Sequence, residues 1–355
     1  MNQVFFCNYS VGEQVYDKVP EVCAPYGSRV LLIGGERALA AAGDALTAAL
    51  LGSGLEIVDT VVFGTDCTLE NIHRWAAHAK ALSADMIFGM GGGKALDTAK
   101  GAAWEAKLPV FTFPTIAATC AAYTALSVVY REDGSFDHFY YYDRPPRHCF
   151  IQLEVIANAP AEYLRAGMGD TIGKHFECHF AARGDELAHS SALGREISNL
   201  CYQPLREYGV RALNDCRSHR VTYELEQAVL AVIVSTGLVS LLVLDDYNCA
   251  IAHSVYYGLV LLPGFEEDNL HGNVVAYGVL VQLAVDGDLD EAARLKVLLQ
   301  GLGIRTTLAE MGVPLDRATL APVLRETVTG PDMAHIPYPV SEEMIYSAME
   351  LIERL

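Results

Sequence analysis

The stretch that most constrains this chain is Asp85-Met-Ile-Phe-Gly-Met-Gly-Gly-Gly-Lys-Ala-Leu-Asp-Thr-Ala-Lys100. Met86–Phe88 is a short apolar run suited to a buried strand, and Gly89, Gly91, Gly92 and Gly93 follow it. From Lys94 the apolar residues Ala95, Leu96, Ala99, Ala102 and Ala103 recur at helical spacing. Strand, glycine turn and helix start form a setting in which backbone N–H groups cradle a phosphate at the positive end of a helix. The absence of a Cβ permits close approach and positive φ there. The pattern is neither a G-x-G-x-x-G fingerprint followed by an acidic residue on the next strand nor a G-x-x-x-x-G-K-[ST] loop. A glycine run alone equally fits a tight strand-to-helix turn.

Around this stretch the first 150 or so residues alternate strand and helix patterns. Arg29–Ile33, Leu55–Phe63 and Pro109–Phe113 read as strands, and Arg37–Leu51 and Leu69–Leu82 as helices. Such alternation predicts a mostly parallel sheet with helices on both faces, which binds ligands beyond the carboxyl ends of its strands. Pro114–Thr119 follows its strand directly and falls at that edge. Leu126–Tyr130 and Phe136–Tyr142 read as a hairpin whose aromatics, Phe139 to Tyr142, serve packing.

From Glu154 onward the apolar spacing is almost wholly helical: 161–182, 186–208, 224–244, 249–262, 273–285, 290–302, 315–327 and 341–355. The expected organisation is an α/β dinucleotide-binding domain over 1–155 followed by an all-helical domain over 156–355. The expected site is the cleft between them.

Composition narrows the partners. The chain has 355 residues, 52% hydrophobic and 19% charged, with a formal net charge of -19 and no Lys/Arg cluster. A globular protein with no nucleic-acid partner is expected. No apolar run approaches the roughly 20 residues that span a bilayer, so no membrane partner is expected. The first residues lack a basic segment, so no signal peptide is expected. The nine Cys show no C-x-x-C spacing, which suits reduced thiols and a cytoplasmic location.

Three segments of the helical half carry chemistry: Ala166–Glu177 with Asp170, Lys174 and Glu177 on one face, Ala252–Gly258 with His253, and Leu270–Gly272 with His271. His175 points away from that face. One carboxylate and two imidazoles from three helices suit Zn²⁺ or Fe²⁺ with a position left open for substrate. No spacing code such as H-E-x-x-H links them, so hydrogen-bonded core positions fit the same residues.

Taken together, Gly91–Lys100, Pro114–Ala117, Ala125–Tyr130, Val155–Pro160, Ala166–Asp170, Ala252-His253 and His271-Gly272 are collinear with, and similar to, the glycerol dehydrogenase branch of the iron-containing alcohol dehydrogenase family. The match runs from about residue 30 to 285. The resemblance implies the dehydroquinate synthase-like two-domain fold, NAD or NADP as cofactor, and one divalent metal held by Asp170, His253 and His271. It implies cofactor contacts at Gly91, Gly92, Gly93, Lys94, Ala95, Leu96 and Asp97, the last five around the pyrophosphate. Thr115, Ile116, Ala118, Thr124, Leu126 and Tyr130 then line the nicotinamide side. Self-association into a homo-oligomer is also implied.

Four positions depart from the branch. Where glycerol dehydrogenases carry an Asp that contacts a substrate hydroxyl, this chain has Cys120, neutral at the ordinary thiol pKa. The surrounding Ala118–Ser127 is similar to the hydroxycarboxylate dehydrogenase sub-branch, and loss of that negative charge suits an anionic substrate. Tyr256 stands where relatives have a proton-relaying His, either replacing the relay or marking its loss. Gly35, followed by Glu36 and Arg37, stands where NAD-specific members place an Asp, so NAD and NADP both remain open. Lys174 stands where iron-dependent relatives have a further His, which favours a three-ligand zinc site over an iron site.

The expected activity is interconversion of a small 2-oxo acid and its 2-hydroxy acid, the metal acting as Lewis acid on the substrate oxygen, with Lys174 or Arg165 binding the carboxylate. The alternatives are a glycerol, polyol or simple alcohol dehydrogenase, a dehydroquinate-synthase-like lyase, and a cofactor-binding protein without catalysis.

Overall fold

The structure, a computed structural model, describes residues 3–355. By its internal contacts the chain forms two compact units: residues up to Ala161 with Asp215–Glu226, and Glu162–Asn214 with Gln227–Leu355.

The first unit is built on six parallel strands: β1 (Asn8–Gly12), β2 (Arg29–Gly34), β3 (Glu56–Val62), β4 (Met86–Gly91), β5 (Val110–Pro114) and β8 (His148–Gln152). Their order is β1-β8-β5-β4-β2-β3. A parallel sheet is buried on both faces, and alternate side chains show it. Val30, Leu32, Met86, Phe88, Phe111, Phe113 and Phe150 pack on one side with Ala38, Ala42 and Leu46 of helix Glu36–Leu50. Leu31, Ile33 and Ile87 pack on the other with Trp75, Ala76 and Ala79 of helix Leu69–Ala81 and Ala99, Ala102 and Ala103 of helix Gly93–Ala106. Gly89 allows this last approach, since a Cβ there would lie 2.7 Å from the Ala99 Cβ.

β1 and β8 were not among the expected strands. Each has five residues and no long apolar run, and each is defined by the partner it pairs with, Asn8–Gly12 against His148–Gln152 in register. The expected hairpin is a separate two-stranded antiparallel sheet of β6 (Leu126–Tyr130) and β7 (Phe136–Tyr141). Its aromatics divide by alternation. The Tyr140 hydroxyl donates to Glu105 Oε1 at 2.5 Å and Tyr142 packs on Trp104, whereas Phe139 and Tyr141 are exposed.

The boundary differs from the expected 155/156. Helix Leu153–Ala157 stays with the first unit, and Asp215–Glu226 returns to it. Cys216 and His219 of the returning segment lie against the carbonyls of Ile156, Ala157 and Ala159.

The second unit is helical. Its centre is His271–Val285, on which Val274 through Ala284 are all buried. Ile251–Leu259, Leu289–Leu302 and Glu342–Arg354 pack against it. The helix expected over 186–208 is two, His189–Ile197 and Asn199–Arg217. At the break the Ser198 hydroxyl donates to Arg195 O and the Asn199 amide to Glu196 O, side chains competing for helix carbonyls.

Tyr223–Leu242 runs as one 20-residue helical stretch whose most apolar window has a mean hydropathy of 1.9, with a π-turn at Ala231–Ser235. The stretch falls on the helix expected over 224–244, and Glu224, Glu226 and Gln227 interrupt its apolar residues. Its composition reflects burial, since 61% of its most apolar window lies inside the protein.

Candidate functional site

In the first unit β4 ends at Gly91, whose φ of 145° no β-carbon residue readily adopts. Its carbonyl accepts the Thr115 N–H at 3.2 Å, joining the ends of β4 and β5. Gly92 caps helix Gly93–Ala106 without a side-chain acceptor. A Cβ on Gly92 would lie 2.7 Å from Ile116 Cδ1, so the absent side chain lets the β5–β6 loop close on the turn. Lys94 is ion-paired with Asp66, and its ammonium lies 5.0 Å from the centre of the Tyr130 ring. Thr115 and Thr124 are buried, and Ile116, Ala118, Cys120, Leu126 and Tyr130 are half-buried around the same loop.

Asp97 is buried on a helix packed against both sheet and hairpin, pairs with Lys100 at 2.9 Å and accepts the Val128 N–H at 3.1 Å.

In the second unit Asp170, His253 and His271 converge from three helices, their potential ligand atoms all within 4.8 Å of one another. Asp170 Oδ1 lies 3.4 Å from both His253 Nε2 and His271 Nε2. The approach depends on two glycines. A Cβ on Gly272 would lie 1.9 Å from the Ala166 carbonyl oxygen, and one on Gly169 2.2 Å from that of Gly272. Helices Ala161–Ala181 and His271–Val285 therefore touch backbone to backbone beside Asp170 and His271.

His253 is held from behind. Its Nδ1 donates to Glu177 Oε2 at 2.6 Å, and Glu177 Oε1 accepts the backbone N–H groups of Ala250 and His253, each at 2.8 Å. Spending Nδ1–H on a carboxylate leaves Nε2 as the lone-pair atom facing Asp170. Burial opposes charge on Asp170, but the two imidazoles outweigh it and hold its carboxyl well below the ordinary range. Burial likewise works against a proton on His253, and Cys249, Glu177 and Asp170 overcome it and raise its proton affinity. The pocket is thus built around positive charge, and a divalent cation fits the three donors chemically.

The sequence pattern of the iron-containing alcohol dehydrogenases matches residues 8–151. The chain is 34% identical to hydroxycarboxylate dehydrogenase A of Escherichia coli (strain K12) over 329 residues, 92% of this chain and 90% of that protein. It is 30% identical to the glycerol dehydrogenase of Escherichia coli O6:H1 over 348 residues, 96% and 93% of the two chains. The crystal structure of glycerol dehydrogenase from Schizosaccharomyces pombe shares the fold, with a TM-score of 0.89, 24% identity, and coverage of 100% of this chain and 91% of that one.

This chain belongs to the iron-containing alcohol dehydrogenase family. It lies in the glycerol dehydrogenase-like branch, and it is an oxidoreductase.

In this family member the remaining expected site residues have specific settings. The Tyr256 ring meets His271 edge to face with centres 4.3 Å apart, and its hydroxyl donates to Glu266 Oε1 at 2.6 Å. Tyr256 therefore backs a metal-ligand candidate. The Lys174 amine donates to Asn248 O at 2.8 Å and to Asn248 Oδ1 at 3.0 Å, so it is anchored within the dehydrogenase's helical unit. His175 stacks on Tyr202. Glu177 was legible in the sequence as sharing a face with Asp170, but its bond to His253 crosses 76 residues and leaves no local signal. Gly35 follows β2 and caps helix Glu36–Leu50, and Glu36 and Arg37 after it are exposed.

Proposed function

We propose that this enzyme interconverts a small 2-oxo acid and the matching 2-hydroxy acid, with NAD or NADP as hydride carrier and one divalent metal, zinc in preference to iron. A bound metal supplies Lewis acidity toward a substrate oxygen, and the nicotinamide supplies or accepts the hydride. Asp170, His253 and His271 hold the metal, and Glu177 fixes the His253 tautomer so that Nε2 is the donor. Lys174, tied to Asn248, leaves a three-ligand set. The glycine turn at Gly91–Gly93 offers uncapped backbone N–H groups to the pyrophosphate. Thr115, Ile116, Ala118, Thr124, Leu126 and Tyr130 flank the nicotinamide. Tyr256 holds the His271 ring by an edge contact. Nine free thiols suit a reducing, cytoplasmic setting, and association of copies accords with the branch.

The observation that carries the oxo-acid reading is Cys120, a half-buried neutral side chain in a 115–125 loop that holds no carboxylate. A substrate carboxylate meets no like charge from that loop. The test is oxidation of NADPH and NADH with 2-oxobutyrate and, separately, dihydroxyacetone, before and after chelation and zinc add-back. Turnover of the oxo acid, abolished by chelation and restored by zinc, supports the reading. Turnover of dihydroxyacetone alone overturns it.

A polyol substrate is the second reading. The observation in its favour is the anchorage of Lys174 to Asn248, which engages a cation that a substrate carboxylate would otherwise use.

A further inference from the structure

The glycine-turn helix carries a buried ammonium that the proposed chemistry does not use. Lys100 lies two turns beyond Gly93, and its side chain is 1% exposed. Its Nζ donates to Leu126 O, to Thr124 Oγ1 at 3.3 Å and to Thr124 O at 3.5 Å, and it pairs with Asp97 Oδ1 at 2.9 Å. Asp97 continues the link outward. Its second oxygen accepts Val128 N–H at 3.1 Å, and its backbone carbonyl accepts the Ser127 hydroxyl at 2.9 Å. The Ser127 oxygen in turn accepts the Tyr142 hydroxyl at 2.8 Å. Two residues of one helix thus hold every residue from Thr124 to Val128 except Ala125, the Lys100 and Asp97 side chains taking Thr124, Leu126 and Val128 and the Asp97 carbonyl taking Ser127.

A buried charge is costly unless it is fully bonded, and an apolar residue would pack the same space without that cost. What the charge provides is register. Residues 115–125 between β5 and β6 form neither strand nor helix. The near end of this loop is tied by Thr115 N–H to Gly91 O, and its middle by the Thr112 hydroxyl to Ala122 O at 2.7 Å. Lys100 ties the far end, through carbonyls two residues apart, to the helix whose first turn faces the phosphate.

We propose that Lys100, with Asp97, is a positioning residue for the nicotinamide end of the cofactor: it sets the height of Thr124 and Leu126 above the glycine turn. The inference rests on the cofactor reading given above and assigns no contact between Lys100 and the cofactor. It divides cofactor binding into two parts. The pyrophosphate end depends on the glycine turn alone, and the nicotinamide end depends on the turn and on the Lys100 clamp together.

The test compares two ligands on the metal-loaded enzyme: NADH, and ADP-ribose, which lacks the nicotinamide. In Lys100→Met, NADH affinity falls about tenfold, the scale of a lost charge-assisted hydrogen bond, while ADP-ribose affinity changes less than about twofold. KM for the reduced cofactor rises with it. Equal loss for both ligands, or loss for neither, overturns the positioning role and leaves the cofactor reading standing. Failure of the wild-type enzyme to bind either ligand overturns the cofactor reading and this inference with it. If Lys100→Met does not fold, Ser127→Ala serves, since it removes one tie and keeps the ion pair. The expected selective loss of NADH affinity is then about threefold, and an unchanged ratio of the two affinities overturns the proposal.

Discussion

Glu177 Oε2 lies 2.6 Å from His253 Nδ1, and the other oxygen of the same carboxylate holds the backbone of His253. One fully buried acid therefore sets both the position and the tautomer of a metal-ligand candidate. Glu177→Gln keeps the shape but presents an amide in place of an all-acceptor group, which removes the preference for Nδ1–H. Zinc affinity is expected to fall about 10- to 100-fold, read by competition with a chromophoric chelator. An unchanged affinity would show that Glu177 packs the helix without tuning the ligand.

Gly272 has no room for a methyl group. A Cβ there meets the Ala166 carbonyl oxygen at 1.9 Å and the Asp170 Cβ at 3.0 Å. Gly272→Ala must push the helices carrying Asp170 and His271 apart. The expected cost is about 1–3 kcal/mol of stability, together with loss of bound metal. Calorimetric unfolding and metal content check the two effects, and a variant with wild-type metal content would refute the coupling.

Cys120→Asp restores a negative charge to the loop. For two like charges about 6 Å apart at an effective dielectric of about 20, the repulsion is roughly 3 kcal/mol. The kcat/KM for a 2-oxo acid is expected to fall about a hundredfold, with dihydroxyacetone turnover maintained or raised. Parallel steady-state kinetics on both substrates decide it.

Asp332 is half-buried, and its buried Oδ2 has no hydrogen-bond partner among the described residues. Burial pushes its pKa up to about 6, with His253 and Lys174 pulling it down and Glu177 pushing it up. The folded protein then holds this proton more tightly than the unfolded chain, so stability declines as pH rises from about 4 to about 6 and is flat above. In chelated protein, Asp332→Asn is expected to raise Tm at pH above about 7 and to leave it unchanged below about pH 4. A gap independent of pH would show that charge is not the cause.

The alternating strand and helix patterns, the glycine turn and the apolar helices were legible because each is written in local periodicity. Asp170, His253 and His271 stood out by residue type, but no spacing links them, and the resemblance implied that they act together. β1 and β8 escaped because a five-residue parallel strand is defined by a partner some 140 residues away. The break at Ser198 escaped because the apolar spacing continues across it while two side chains capture the helix carbonyls. The helix expected over 224–244 is Tyr223–Leu242, with a π-turn at Ala231–Ser235 that the apolar periodicity does not mark.

The sequence by itself determined the architecture, the branch of the family and the identity of the three converging donors. Periodicity dictates which faces are buried, and burial dictates the layers. Only the tertiary structure decided which polar groups are available for chemistry. The resemblance made Asp97 a cofactor contact and charge made Lys174 a candidate for the substrate carboxylate; in the structure Lys100 pairs with the first and Asn248 anchors the second. Glu177 read only as sharing a helix face with Asp170 and Lys174, and the fold sets it against His253 Nδ1. A side chain's role follows from which partner meets it in a desolvated space, and the partners of Lys174 and His253 lie 74 and 76 residues away, beyond the reach of any local pattern.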